Sequence, residues 1–212
     1  MTGLVGAGRT EVCQGIMGIE RPDKGKVILE GKTLSIKHPS DAMKAGIGCL
    51  PEDRQKQGLI LDWGLGQNVT LSTLEKFTKF TVINRKAERE RSKELLEKVK
   101  TKALSVFDKA SSLSGGNQQK VIVAKVLNSD LKVVILDEPT KGVDVGAKAQ
   151  IYEIMSELAA QGFGVIMISS EMPEVLGMAD TILVMKEGRV SKIFADATGV
   201  TQEQILEAAM NM

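Results

Sequence analysis

The chain has 212 residues, of which 42% are hydrophobic and 26% charged, and its formal net charge is +1. These values suit one large globular domain or two small ones and exclude a disordered chain or a fibrous repeat. The near-neutral charge argues against binding to nucleic acid or an acidic membrane through bulk charge. Two cysteines, Cys13 and Cys49, are typical of a reducing cytoplasm. The apolar runs predict neither a secretory signal nor a membrane span.

A glycine-rich turn opens the chain and leads into a short predicted helix that ends near Gly18. Residues 3–10 fit the phosphate-loop pattern G-x-x-x-x-G-R-T, with Arg9 in place of lysine. Glycines let backbone N–H groups turn toward phosphate oxygens, and the helix N-terminus adds a positive dipole end. Thr10 would offer its hydroxyl to Mg²⁺. Taken alone, the pattern fits a glycine-rich turn that caps a helix equally well.

The next part of the chain predicts two strands, at Gly25–Gly31 and Ile47–Leu50, and the second one stops at Pro51. A stretch that we expect to be rich in loops follows and contains three glycines. Residues 84–100 are strongly charged and favour a helix. This helix could present a basic docking face, but its glutamates offset the bases, which favours a solvated surface with mixed-sign pairs.

The second half alternates apolar strands with helices, which predicts an α/β domain with a mainly parallel sheet. The unbroken apolar run Val133–Leu136 is typical of a strand that is buried on both faces. In chain order, we predict a helix from Ser114 to Asn128, this strand, a helix at Ala147–Ala160, a strand at Val165–Ile168, a hairpin over Thr181–Phe194 and a helix that Thr201 and Gln204 open with a capping box.

Two carboxylates follow the buried strand at Asp137 and Glu138. Ligands of open α/β sheets bind at the carboxyl ends of the strands, so these side chains lie where chemistry is expected. Asp137 could hold Mg²⁺ through water, and Glu138 could orient or deprotonate an attacking water. The alternative is a strand that ends in an acidic turn.

A serine and two glycines begin the helix before this strand, and they would offer a hydroxyl and free N–H groups to an anion. An ordinary N-cap is the alternative. The order of glycine loop, Ser-Gly-Gly helix and Asp-Glu strand resembles that of the ATP-binding-cassette (ABC) ATPases. In that resemblance residues 3–10 are the Walker A loop, residues 113–117 the signature motif, Asp137 and Glu138 the Walker B pair, and Asp144 the D-loop aspartate.

Three further segments narrow the resemblance: Pro51–Leu59, Thr140–Lys148 and Ser169–Met178 are similar to the second cassette of ribose, galactose and xylose importer ATPases. The resemblance implies a single P-loop NTPase cassette of α/β class, with a mainly parallel core sheet at residues 1–50 and 130–212 and a helical signature subdomain at about 51–128. It implies ATP and Mg²⁺, and a role in monosaccharide import at the cytoplasmic face of the inner membrane. The implied partners are a second cassette, a membrane permease and, indirectly, a periplasmic sugar-binding protein.

The resemblance also implies a set of site residues. The catalytic residues are Glu138 and Ser170, the metal ligands are Thr10 and Asp137, and the D-loop residue is Asp144. The nucleotide-binding residues are Gly3, Gly6, Ala7, Gly8, Arg9, Thr10, Glu52 and Asp137, and the signature residues that face a partner's nucleotide are Leu113, Ser114, Gly115, Gly116 and Asn117.

Several positions depart from the family pattern. Arg9 replaces a lysine, Glu52 stands at the Q-loop glutamine, and Ser170 stands at the switch histidine. Arginine is not a conservative replacement for a compact ammonium. We therefore expect this cassette to donate an intact signature to a partner while its own loop turns over little ATP. The single histidine, His38, is expected to be a surface residue.

Only Met1 and Thr2 precede the glycine loop, so we expect the domain to lack its N-terminal strands, including the aromatic that stacks on adenine, and to bind ATP poorly on its own. Two alternatives stay open. One is a catalytically silent or remnant cassette that serves as a binding or regulatory partner. The other is a non-transport cassette that acts in DNA repair or on ribosomes, for which a basic arm or coiled coil would be expected.

Overall fold

The computed structural model describes residues 1–210. The helices are α1 Arg9–Met17, α2 Pro39–Lys44, α3 Leu65–Thr70, α4 Arg85–Lys98, α5 Gly115–Leu127, α6 Val145–Ala160, α7 Met172–Met178 and α8 Gln202–Met210. The strands are β1 Thr2–Gly3, β2 Val27–Leu29, β3 Lys32–Leu34, β4 Ile47–Leu50, β5 Thr78–Lys79, β6 Val82–Ile83, β7 Val133–Asp137, β8 Gly164–Ile168, β9 Ile182–Lys186 and β10 Arg189–Phe194. A π-helical turn at Arg54–Gly58 and 3-10 turns at Leu71–Phe77 and Ala110–Ser112 complete the elements.

Two three-stranded sheets meet at the N-terminus. One has the order β4-β7-β8 and is fully parallel, and the other has the order β1-β9-β10, with β10 antiparallel to β9. Met1 joins them, because its nitrogen donates to the Met167 carbonyl at 2.6 Å and its carbonyl accepts from the Ser169 nitrogen at 3.2 Å. The core sheet is therefore mainly parallel, as predicted. A strand, although only two residues long, leads into the glycine loop.

Strand β7 lies in the middle of the parallel sheet and divides the core. Val134 and Leu136 contribute to the larger hydrophobic cluster, which includes the buried residues of α5 and α6, while Ile135 contributes to a smaller cluster with Cys13 and Met17 of α1. This alternation is the period of two that side chains follow along a strand. The prediction that this run is buried on both faces is confirmed.

The stretch after β4 contains more regular structure than expected. Helix α3 buries Leu65 and Val69 completely, four residues apart on one face. The Asn68 side chain accepts from the Ile60 nitrogen at 2.8 Å and donates to the carbonyls of Ile60 and Gly64, which holds the preceding loop closed. Helix α3 lies in the region expected to be a helical subdomain, although its own residues were assigned to loops. Strand β2 lies within the predicted strand Gly25–Gly31, whereas β3 and the hairpin β5-β6 were not predicted.

Helix α4 has the mixed-sign surface that was favoured for it, including an Arg91–Glu94 pair at 2.9 Å and a Lys93–Glu97 pair at 3.8 Å. The capping box of α8 is also confirmed by reciprocal hydrogen bonds between Thr201 and Gln204. His38 is exposed at the start of α2. Within residues 1–210, no helix has the length and apolar character that a bilayer crossing requires.

Candidate functional site

The ends of the three parallel strands β4, β7 and β8, together with the end of β1 from the neighbouring sheet, build the site. β1 leads into the glycine loop, β4 into Glu52, β7 into Asp137 and Glu138, and β8 into Ser170. Because β4, β7 and β8 run in the same direction, their carboxyl ends lie at one edge of their sheet. The hydrogen bonds of Met1 to Met167 and Ser169 hold β1 beside the end of β8. The sequence-predicted residues of the loop, the Walker B pair and the switch position are thereby brought together.

The glycine loop packs against the β9-β10 hairpin. A Cβ at Gly3 would lie 2.3 Å from the Met185 carbonyl oxygen, and one at Gly8 would lie 2.9 Å from the Gly188 Cα. Gly8 also has a φ of 89°, in the left-handed region that favours glycine. The Gly188 nitrogen donates to the Ala7 carbonyl at 3.0 Å. Two of the loop's glycines are therefore required by contact with the hairpin.

Asp137 is the most deeply buried carboxylate of the site, at 4% exposure. Burial raises its pKa, Glu52 and Glu138 raise it further, and a hydrogen bond from the Thr10 hydroxyl at 3.0 Å opposes the rise. Its Oδ1 is buried and has no hydrogen-bond partner within residues 1–210. An unpartnered carboxylate oxygen beside a hydroxyl suits a hard cation such as Mg²⁺.

The protein offers few metal ligands here, since the described residues contain no group of three or more His, Cys, Asp or Glu that could hold an ion. Mg²⁺ characteristically takes one or two protein ligands and completes its shell with water and substrate phosphates. Thr10 and Asp137 fit that pattern.

Both oxygens of the Glu138 carboxylate are engaged. The Arg9 guanidinium lies 3.5 Å from Oε1, with both side chains only 11% exposed, and Oε2 accepts from the nitrogen and hydroxyl of Ser170 at 3.2 and 3.1 Å. Arg9 also donates to the Ser169 carbonyl at 3.2 Å. Glu138 itself has a φ of 46°, a strained conformation for a non-glycine residue. Arg9 is thus held against the glutamate, and the charge of the glutamate is neutralised.

Glu52 is paired as well. Its Oε1 lies 2.5 Å from the Lys141 ammonium, and this hydrogen bond, followed by the charge of Glu52, raises the pKa of Lys141. The carboxylate at the Q-loop position is therefore compensated from the turn that follows β7.

Ser114 occupies the N-cap position of α5, but its hydroxyl caps no backbone N–H. Ser114 is exposed, and its Oγ accepts from the Asn117 amide at 3.0 Å, while the Asn117 carbonyl oxygen accepts from the Lys102 nitrogen at 2.9 Å. The serine is therefore held in place and faces outward, unlike the side chain of an ordinary capping serine. Leu113, next to it, packs on the larger core cluster.

The second signature glycine touches the next helix. A Cβ at Gly116 would lie 2.4 Å from the Ala147 Cβ, so α5 and the start of α6 are in close contact. The Asp144 carboxylate accepts from the Ala147 nitrogen at 3.0 Å and so caps α6. Asp144 thereby fixes the start of the helix that packs against Gly116.

Sequence reasoning missed Glu174, a buried carboxylate in α7 that is 5% exposed. It accepts hydrogen bonds from Thr140, from Tyr152 at 2.6 Å and from Ser169 at 2.8 Å, and so connects the segments after β7 and β8. Its position in one of the family-like segments was visible, but its burial was not.

A cavity of about 500 Å³ lies beside the site, between α1, α2, β4 and α5, and reaches Thr10 and Asp137 at one end. Cys13 and Cys49 line it, and burial raises the pKa of each thiol to about 12. Neither cysteine is in a disulfide.

The sequence of the first two thirds of the chain decides the family, because residues 1–141 match the family model for ABC transporters. The chain belongs to the ABC transporter family. The cassette also shares its fold with a solved nucleotide-free ATP-binding cassette of an ABC transporter, with a TM-score of 0.80 at 23% identity over 99% of this chain and 83% of that one. A dimeric cassette bound to ADP and Pi gives a TM-score of 0.78 at 21% identity, over 94% and 84% of the two chains.

More similar relatives are found among curated proteins. The cassette is 47% identical over 209 residues to the ribose import ATP-binding protein RbsA 1 of Streptomyces coelicolor, and 46% identical over 210 residues to the xylose import ATP-binding protein XylG of Geobacillus kaustophilus. Each alignment covers 99% of this chain but only 41% and 42% of the relative. The cassette therefore spans less than half the length of these relatives.

Proposed function

We propose that this chain is one ATP-binding cassette of a monosaccharide importer and couples ATP binding and hydrolysis to sugar uptake. The names of relatives that are 44–47% identical support ribose or xylose as the class of cargo. Since the cassette matches about two fifths of each relative, the polypeptide of each relative has room for a second cassette. The same names give no support to a role in DNA repair or on ribosomes.

The observation that carries the proposal is the contrast between the Ser-Gly-Gly segment at the start of α5 and the glycine loop with its partner Glu138. Ser114 faces outward with its hydroxyl free of any capping bond, as a signature that meets a partner's nucleotide requires. In the glycine loop, by contrast, the Arg9 side chain is held against Glu138. We infer that this is the second, weakly hydrolytic cassette of a pair, which donates its signature to the more active site of its partner.

The remaining assignments follow from that role. ATP is the substrate, and Mg²⁺, held by Thr10 and Asp137 with phosphate and water, neutralises phosphate charge when bound. We propose a membrane permease as the partner at the cytoplasmic face of the inner membrane, with a periplasmic sugar-binding protein acting on its other side.

Ser114→Arg tests the proposal. An arginine side chain at an exposed signature position would occupy the space of the partner's triphosphate, so ATP turnover of the paired cassettes should fall at least about tenfold. Ser156→Arg, on the exposed face of α6, is the matched control and should leave turnover unchanged. Turnover by the Ser114 variant equal to that of the control would refute the proposal.

A further inference from the structure

Arg54 connects two segments that are distant from it in the sequence. Its Nη1 donates to the Lys141 carbonyl at 2.9 Å, and its Nη2 donates to the Gly142 carbonyl at 3.3 Å. The same guanidinium lies against Gly115, because a Cβ at that glycine would be 2.6 Å from Nη2. A methyl group at Gly115 would therefore displace the guanidinium from its present position.

Neighbours of Arg54 make parallel connections. Glu52 pairs with Lys141 at 2.5 Å, and the Gln55 amide donates to the Gln118 side-chain oxygen of α5 at 3.2 Å. Residues 52–55 therefore hold both the turn after β7 and the first turn of α5. Arg54 is the member of this group that reaches both at once.

The positive charge of Arg54 lies at the start of α5. Its Nε is buried and has no hydrogen-bond partner within residues 1–210. The guanidinium touches Gly115, the first residue of the 13-residue helix α5, where the helix dipole is already positive. The guanidinium therefore adds positive charge beside the first residue of α5.

We propose, on the basis of the function proposed above, that Arg54 is a positioning residue for hydrolysis at the partner's nucleotide. It locks the start of the signature and the D-loop turn into one unit, and it adds positive charge behind the signature. A planar guanidinium with several donors can bridge two carbonyls, whereas an ammonium is a single point of charge. We therefore expect this position to require arginine and not lysine.

The test compares Arg54→Ala, Arg54→Lys and Ser114→Arg in the transporter assembly that contains this chain. Arg54→Ala should lower kcat at least about tenfold, because small misplacement of a reacting group has effects of that order. KM for ATP should change less than about twofold, because the partner's phosphate loop holds that ATP. Arg54→Lys should give an intermediate kcat. Arg21→Ala removes an exposed arginine and should have no effect.

Each outcome separates the two proposals. If Ser114→Arg abolishes turnover while Arg54→Ala keeps the kcat of Arg21→Ala, the role of Arg54 is refuted and the proposed function stands. If Ser114→Arg leaves turnover intact, the proposed function fails and the role of Arg54 fails with it. Thermal unfolding identifies a variant that does not fold. In that case Arg54→Lys decides, and an unchanged kcat in that variant refutes the need for a bridging guanidinium.

Discussion

Replacing Glu174 should destabilise the protein more than any surface change nearby. This carboxylate is 5% exposed and accepts from Thr140, Tyr152 and Ser169, with the Lys148 ammonium 3.5 Å away. Thr140 and Ser169 are themselves buried, at 2% and 0% exposure. Removal of the carboxylate takes away the acceptor to which each of these hydroxyls donates, although the Ser169 hydroxyl still accepts from the Glu171 nitrogen at 3.0 Å.

The magnitude follows from those two hydroxyls. A buried donor left without an acceptor costs about 1–3 kcal/mol, so Glu174→Ala should lower the free energy of unfolding by about 3–5 kcal/mol. Glu174→Gln keeps the size of the side chain and one acceptor oxygen, and should cost about 1–2 kcal/mol. Glu171→Ala is the matched control. Glu171 also pairs with Lys148 but is exposed, so its loss should cost less than about 1 kcal/mol.

The pH dependence gives a second reading of the same network. Burial acts to raise the pKa of Glu174, but hydrogen bonds from Thr140, Tyr152 and Ser169 and the charge of Lys148 outweigh it and lower the pKa overall. A lowered folded-state pKa stabilises the protein above the unfolded value of about 4.3, and this contribution is lost as the pH falls through the folded value. The stability difference between wild type and Glu174→Gln should therefore shrink below about pH 4.

Urea unfolding followed by far-UV circular dichroism measures these differences, at pH 7 and at a series of lower pH values. A Glu174→Ala variant as stable as Glu171→Ala at pH 7 would show that the buried hydroxyls find other partners. The reasoning from the hydrogen-bond network would then be wrong.

Two other predictions concern the loop and the cavity. Gly3→Ala places a methyl group 2.3 Å from the Met185 carbonyl, and should lower stability in urea by about 2 kcal/mol, whereas Gly177→Ala in α7 meets nothing within 4 Å and should be neutral or slightly stabilising. Equal urea midpoints would contradict this. The thiols of Cys13 and Cys49, with pKa values of about 12, should react with iodoacetamide at pH 8 about a thousandfold more slowly than in the urea-unfolded chain. Similar rates before and after unfolding would contradict it.

The sequence predicted the elements whose pattern is local. Val133–Leu136 was recognised as a buried strand because four apolar residues in a row need cover on both faces, and α6 and α8 carry their own caps. The Ser-Gly-Gly start of α5 was recognised in the same way. These features depend on residues within one or two turns of each other.

The missed features depend on contacts between distant segments. Gly66 suggested a loop, yet it lies in α3. The glycine suits the close approach of α3 to α4, because a Cβ there would lie 3.0 Å from the Ser92 hydroxyl. Arg54 donates to carbonyls that are 87 and 88 residues away in the sequence, and Glu174 accepts from Thr140 and Tyr152, which are 34 and 22 residues away. No rule of sequence spacing predicts such pairs, and the same holds for the pairing of Arg9 with Glu138.

The hairpin that supports the glycine loop has a practical consequence for dividing this protein. Every motif up to the turn after β7 lies within residues 1–141, the part that the family model matches. The backbone that Gly3 and Gly8 press against comes from Met185 and Gly188. A fragment trimmed to the matched region would keep the sequence of the glycine loop but lose the β9-β10 hairpin against which the loop packs. Any shortened version therefore has to extend through strand β10.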